Sequence, residues 1–143
     1  MIWTKRPTVD DLHRIHRDTV VAILGIEFTE VGDDFLCARM PVDARTKQPH
    51  GLLHGGASVV LAETLGSCAA QYCVDGAAFR CVGLDVNANH LRSVESGWVT
   101  ARAEPVHLGR TTQVWQIDIR DEAGRRVCAS RLTMAVLPVA ART

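Results

Sequence analysis

Two hydrophobic periods divide this chain. From residue 79 onward apolar and polar positions alternate with a period of two, and strands are predicted over residues 79–91, 97–106, 111–121 and 125–137. The third is the clearest: Trp115, Ile117 and Ile119 alternate with Gln116, Asp118 and Arg120. Asp121-Glu122-Ala123-Gly124 reads as the hairpin connection into the last strand. Residues 51–74, GLLHGGASVVLAETLGSCAAQYCV, have no such alternation. In 24 positions they hold one carboxylate, Glu63, and no Lys, Arg or Asp. Apolar or small residues surround Glu63 on every helical face, which predicts a long buried helix rather than an amphipathic one.

Ahead of that run, residues 8–22 are predicted as one helix. Thr8 can cap it, Asp10 and Asp11 suit its positive end, and Val9, Leu12, Ile15 and Thr19 fall at helical spacing. A strand pair follows over 25–31 and 35–42, turned by Gly32-Asp33-Asp34, and residues 43–53 form a loop. The sum is α+β: a short helix, a long helix and about six mostly antiparallel strands. One sheet can bury the long helix only by curling around it. Length and the absence of repeats or linkers predict one domain over residues 1–143.

Composition narrows the function classes. The formal net charge is zero, so there is no global electrostatic footprint for nucleic acid or an anionic membrane. Lysine occurs only at Lys5 and Lys47, and arginine carries the remaining positive charge. The five cysteines, Cys37, Cys68, Cys73, Cys81 and Cys128, are scattered and odd in number. That predicts reduced, packed thiols in the cytoplasm rather than disulfides, and no C-x-x-C pair or His pattern points to a metal. MIWTKRPTVDDL has no apolar signal region. The long helix could span a bilayer, but Glu63, Thr64, Ser67 and Gln71 in its second half favour a buried core helix.

A carboxylate in an apolar helix is costly unless it is paired or its proton affinity shifts, which makes Glu63 the first candidate for chemistry. Gly55 and Gly56 stand where the helix begins, and its free N–H groups could stabilise an oxyanion on an ester or thioester carbonyl. A plain glycine turn explains the same residues. Gly55 and Glu63 are eight residues apart, about 12 Å along a helix, so they cannot share one carbonyl within a chain. If they cooperate, two copies pack antiparallel about a two-fold axis. Ser67, four residues after Glu63, could hold a water beside it or bond back to the helix. Gln48 could donate its amide N–H to the same carbonyl, or be a surface residue. His54 suggests a Ser–His or Cys–His system, but there is no G-x-S-x-G elbow and thiolates are disfavoured in an apolar helix. A carboxylate nucleophile or general base fits better. Asn87, Asn89, His90 and Arg92 read as interrupting a strand. The run from His107 to Thr112 reads as a turn that suits phosphate, or as a solvated hairpin.

Placed together, LGIEFTEVGDD, MPVDARTKQPHGLLHGGASVVLAETLGS, VGLDVNANHLRSV and HLGRTTQVWQIDIRDEAGRR resemble the hotdog-fold acyl-CoA thioesterases nearly end to end. The likeness is greatest to the branch with the menaquinone-pathway dihydroxynaphthoyl-CoA hydrolase and the enterobactin-pathway proofreading thioesterase. The resemblance implies a helix wrapped by an antiparallel sheet, homodimers and a dimer-of-dimers homotetramer. It implies thioester hydrolysis with Glu63 of one subunit as nucleophile or general base. Gln48 and the Gly55 N–H would polarise the carbonyl, His54 would lie beside the leaving thiol, and Ser67 would orient water. CoA would lie along Gly83, along His90, Leu91, Arg92 and Ser93, and along His107, Leu108, Gly109, Arg110, Thr111 and Thr112. No metal or resident cofactor is implied; CoA arrives with the substrate, on which an acyl or aryl carrier protein is an alternative carrier. The branch often has His-His-Arg-Pro where this chain has His90-Leu91-Arg92-Ser93, and Phe where it has His50, which implies a more polar acyl pocket.

Two other readings compete. An enoyl-CoA hydratase on this fold needs an Asp–His pair, for which Asp43 and His54 are available, but it leaves Glu63 without a role. A non-catalytic acyl-CoA sensor gains nothing from a buried acid.

Overall fold

In the computed structural model, which describes residues 1–140, the elements are α1 (Val9–Ile15), α2 (Val20–Ile23), β1 (Glu27–Val31), β2 (Leu36–Pro41), α3 (Gly55–Tyr72), β3 (Phe79–His90), β4 (Trp98–Leu108), β5 (Thr112–Asp121) and β6 (Arg126–Pro138). The six strands form one antiparallel sheet in the order β1-β2-β4-β5-β6-β3. α3 touches β2 through β6 and carries the chain from β2 across the sheet to the far edge, where β3 pairs with β6.

The alternation predicted for β5 is what buries it. Trp115, Ile117 and Ile119 are fully enclosed beneath α3, together with Leu61 and Leu65 of the helix. Burying each such side chain contributes about 1.5–3 kcal/mol. Gly66 allows the close approach: a Cβ there would lie 2.5 Å from Leu132 Cδ2 of β6.

Two expectations about the helices are corrected. The predicted helix over 8–22 is two helices, because Thr19 turns its hydroxyl to the His16 carbonyl (2.9 Å) and caps Val21 N–H of a new helix (3.3 Å). Nor is α3 buried all round. Ala57, Ser58, Leu61, Ala62, Leu65, Gly66, Ala69 and Ala70 face the sheet, while Val60, Glu63, Thr64 and Ser67 on the opposite side are only half-buried. Small and apolar residues on all faces prescribe burial, but within one chain a single curved sheet supplies only one wall. Among the described residues no helix is long and apolar enough to cross a membrane.

Asn87 and Asn89 do not interrupt a strand; β3 runs through them. They turn to the outer face of the sheet beside Gln116 and Arg131. An irregularity sets this orientation. Gly83 pairs with Met134 and Asp85 with Thr133, which leaves Leu84 as an extra residue in a bulge. Cys81 and Gly83 face α3 before the bulge, and Val86, Ala88 and His90 do so after it. Without the bulge, Asn89 rather than His90 would face the start of the helix.

Candidate active site

α3 runs antiparallel to β3, so each end of the helix meets the opposite end of the strand. Gly55 lies against His90: a Cβ on Gly55 would be 2.7 Å from His90 Nε2. Glu63 lies against Gly83, where a Cβ would be 3.1 Å from Glu63 Oε1. Gln71 then ties the helix to the start of the strand, donating to the Phe79 carbonyl (3.2 Å) and accepting from Cys81 N–H (2.9 Å).

The helix start opens on a cleft of ≈ 380 Å³ lined by Gln48, Gly55, Ser58 and His90 to Ser93. Its donors are preset by local bonds. His54 caps the helix through its ring, Nδ1 accepting from Gly56 N–H (2.8 Å), so a neutral imidazole carries its proton on Nε2. The His54 N–H is spent on the Thr46 carbonyl (2.8 Å), and Ala57 and Ser58 N–H both donate to the His54 carbonyl. The Gly55 N–H has no partner among the described residues. Gln48 Oε1 accepts from the His50 N–H, which leaves the two amide protons of Nε2 to donate. Two free donors at a helix N-terminus can stabilise a developing oxyanion.

Glu63 and Ser67 line a different hollow of ≈ 350 Å³ with His16, Val20, Val60 and Cys68. The Glu63 carboxylate has neither hydrogen bond nor ion pair among the described residues. Ser67 donates only to Met134 Sδ (3.8 Å), a weak acceptor, so its oxygen can hold a water. Burial pushes the Cys68 thiol up to about 12, which keeps it protonated and unsuited as a nucleophile.

The segments expected along CoA also fall into two groups. Leu91 and Arg92 N–H donate to the Val127 carbonyl at the start of β6, whereas Thr111 accepts from Val136 N–H near its end. Nine residues of strand separate those points, about 30 Å at 3.3 Å per residue. Gly83 belongs with the His107–Thr112 hairpin, since Gly83 pairs with Met134 and Thr112 with Ala135. In that hairpin Gly109 N–H bonds to the Thr112 carbonyl (2.9 Å), and a side chain at 109 would strike the His107 ring.

Sequence reading missed Thr46 and Ser58. Thr46 is buried; its hydroxyl donates to the Pro41 carbonyl (2.6 Å) and accepts from Asp43 N–H (3.1 Å), and its carbonyl holds His54. Ser58 is buried one turn into α3, three residues after Gly55, a spacing that puts it beside the helix start. Asp43 pairs with Arg45 (2.7 Å), whose side-chain and backbone N–H groups hold the carboxyl below the usual carboxylate range. It makes no bond to His54, so the hydratase pair does not form. Among the described residues no three His, Cys, Asp or Glu side chains converge as a cation site.

Residues 50–128 match the sequence profile of the thioesterase superfamily. The chain is 53% identical over 137 residues to the 1,4-dihydroxy-2-naphthoyl-CoA hydrolase of Escherichia coli, covering 96% of this chain and 100% of that one. It is 51% identical over 138 residues to a proofreading thioesterase of Cronobacter turicensis, covering 96% and 99%. A crystal structure of a mutant thioesterase from Pseudomonas aeruginosa superposes with a TM-score of 0.96 at 52% identity, over 97% of this chain and 100% of that chain. The chain belongs to the thioesterase superfamily: it is a thioester hydrolase built on the hotdog fold.

Proposed function

We propose that this protein hydrolyses aromatic acyl-CoA thioesters to the free acid and CoA, at sites shared between two subunits. The observation that carries the reading is the division of labour along α3. One turn holds the unpaired Gly55 N–H beside Gln48, and a carboxylate without a partner stands eight residues further on.

A two-fold axis through α3 near Val59 would place Glu63 of one subunit against Gly55 of the other. The same axis, crossing β3 between Gly83 and His90, would join the two halves of the CoA-binding set. The exposed edge of β3 suits this pairing. Among the described residues no strand lies beyond its outward backbone groups, and Leu84, 63% exposed, extends an apolar surface there. Further association of dimers into a tetramer fits the same reading, as does a cytoplasmic location, which the five free cysteines favour.

In the reaction the thioester oxygen sits between the Gly55 N–H and the Gln48 amide, which take up its negative charge as the carbonyl is attacked. Glu63 either attacks the carbonyl carbon itself or takes a proton from a water held by Ser67. The C–S bond breaks as the tetrahedral centre collapses, and the His54 Nε2–H is placed to meet the departing sulfur. Arg92, Arg110 and the hydroxyls of Ser93, Thr111 and Thr112 contact CoA phosphates. An acyl or aryl carrier protein would present the same phosphopantetheine thioester.

Glu63→Gln tests the reading. Hydrolysis of benzoyl-CoA should fall by several orders of magnitude while CoA binding persists. Turnover that survives the substitution would make Glu63 structural and the mechanism wrong. An acyl-CoA sensor would show binding without turnover in the unmodified protein.

A further inference from the structure

His16 belongs to none of the roles above, yet its ring lines the hollow that holds Glu63. The helix break put it there. His16 is the C-cap of α1, and the turn to Thr19 fixes its backbone. Nδ1 lies 2.8 Å from the Leu12 carbonyl, which can only accept, so Nδ1 carries the proton and donates. The ring packs on Phe28, with centroids 5.2 Å apart. Tautomer and orientation are therefore both set: in the neutral ring Nε2 is an acceptor. It faces Cys68 Sγ at 3.4 Å, on the helix bearing Glu63 and Ser67.

That partner is poor. A thiol is a weak donor, and burial keeps Cys68 in the thiol form. The neighbouring walls, Val20 and Val60, are apolar. Beside the carboxylate, in a hollow shared with the hydroxyls of Thr64 and Ser67, the His16 lone pair is thus fixed in direction between apolar walls and held by a donor that an O–H group can outcompete.

We propose that His16 is a specificity-determining residue, whose Nε2 accepts a hydroxyl proton from the acyl group undergoing hydrolysis. This rests on the reading of Glu63 as the reacting carboxylate, which places the acyl group in this hollow. The preferred acyl group has an apolar body fitting between Val20 and Val60 and a hydroxyl donor directed at His16. A methoxy group in the same place brings lone pair against lone pair, and an unsubstituted ring leaves the thiol contact as it is.

The test uses the full-length protein with benzoyl-CoA, the three monohydroxybenzoyl-CoA isomers and their methoxy counterparts. Methoxy matches hydroxyl in electron donation to the ring but cannot donate a hydrogen bond. For at least one isomer, kcat/KM should exceed that of both its methoxy counterpart and benzoyl-CoA by about tenfold. His16→Phe should bring that ratio close to one. Cys68→Ala, which leaves Nε2 with no donor but the substrate, should raise it. If His16→Phe does not fold, the wild-type ratios and the Cys68→Ala shift decide. Active enzyme with no hydroxyl preference, or a preference indifferent to both substitutions, overturns the assignment and leaves the thioesterase reading standing. No turnover of any of these substrates overturns both.

Discussion

A Cβ added to Gly55 would stand 2.7 Å from Nε2 of His90. The two residues are 35 positions apart, and the bulge at Leu84 is what turns the histidine toward the helix. Glycine is thus required at the helix start by a neighbour rather than by its backbone angles, since only Gly25, Gly51, Gly97 and Gly124 have positive φ. Gly55→Ala should displace His90 and crowd the thioester, lowering kcat/KM by about 10–100-fold with most of the loss in kcat. Combining it with His90→Ala should cost less than the sum of the single changes, as a double-mutant cycle measures.

If each site joins Glu63 of one subunit to Gln48 and Gly55 of the other, inactive variants should complement. Glu63→Gln and Gln48→Ala chains, unfolded and refolded together in equal amounts, should recover about a quarter of wild-type activity. Half of randomly formed dimers are mixed, and each mixed dimer holds one intact site of two. Activity no greater than the mean of the two parents would place each whole site within one chain.

Thr46→Val keeps the shape of a buried side chain but leaves the Pro41 carbonyl and Asp43 N–H without their partner. A loss of about 1–3 kcal/mol in stability is expected, seen as a lower Tm. Since the Thr46 carbonyl also anchors His54, KM should rise through misplacement of the Gln48 loop.

The Arg110 hairpin should read phosphates rather than the acyl group. Arg110→Ala is expected to raise KM for acyl-CoA several-fold while leaving the acyl-pantetheine thioester, which lacks the nucleotide phosphates, unchanged. An equal effect on both would move the hairpin out of the CoA site.

Alkaline pH should destabilise the fold through its thiols. Burial pushes Cys68 and Cys73 up to about 12 from 9.0, so between those values the folded state holds protons that the unfolded chain has lost. The stability these thiols contribute is present below pH 9 and is lost as pH rises toward 12, by about 1 kcal/mol per pH unit for the deeply buried Cys68 and by less for the more exposed Cys73. Urea denaturation across that range measures it. Iodoacetamide labelling of the native protein at pH 8 should also spare Cys68 until it is unfolded.

Much of the architecture could be read from hydrophobic period alone. β5 was legible because Trp115, Ile117 and Ile119 point inward while Gln116, Asp118 and Arg120 point outward. α3 was legible because 24 residues carry a single charge. The break between α1 and α2 was not, since Leu12, Ile15 and Thr19 keep helical spacing through it; the hydroxyl of Thr19 decided the matter by capping a new helix. The bulge at Leu84 was equally silent, because an extra residue shows only against a partner strand, and β6 arrives more than forty positions later.

The candidate site divides in the same way. Glu63 and Gly55 could be named from the sequence because a lone carboxylate in an apolar helix and a glycine pair at its start are local anomalies with an energetic meaning, whereas Gln48 gained its role only from the family resemblance. Their separation of about 12 Å was also a local property, fixed by helical rise. Which groups stand around them was a matter of tertiary structure. His90 on Gly55, Gly83 on Glu63 and His16 on Cys68 are each contacts between elements distant in the chain, set by strand order and a one-residue bulge. Periodicity records which face of an element is buried; only packing records what it is buried against.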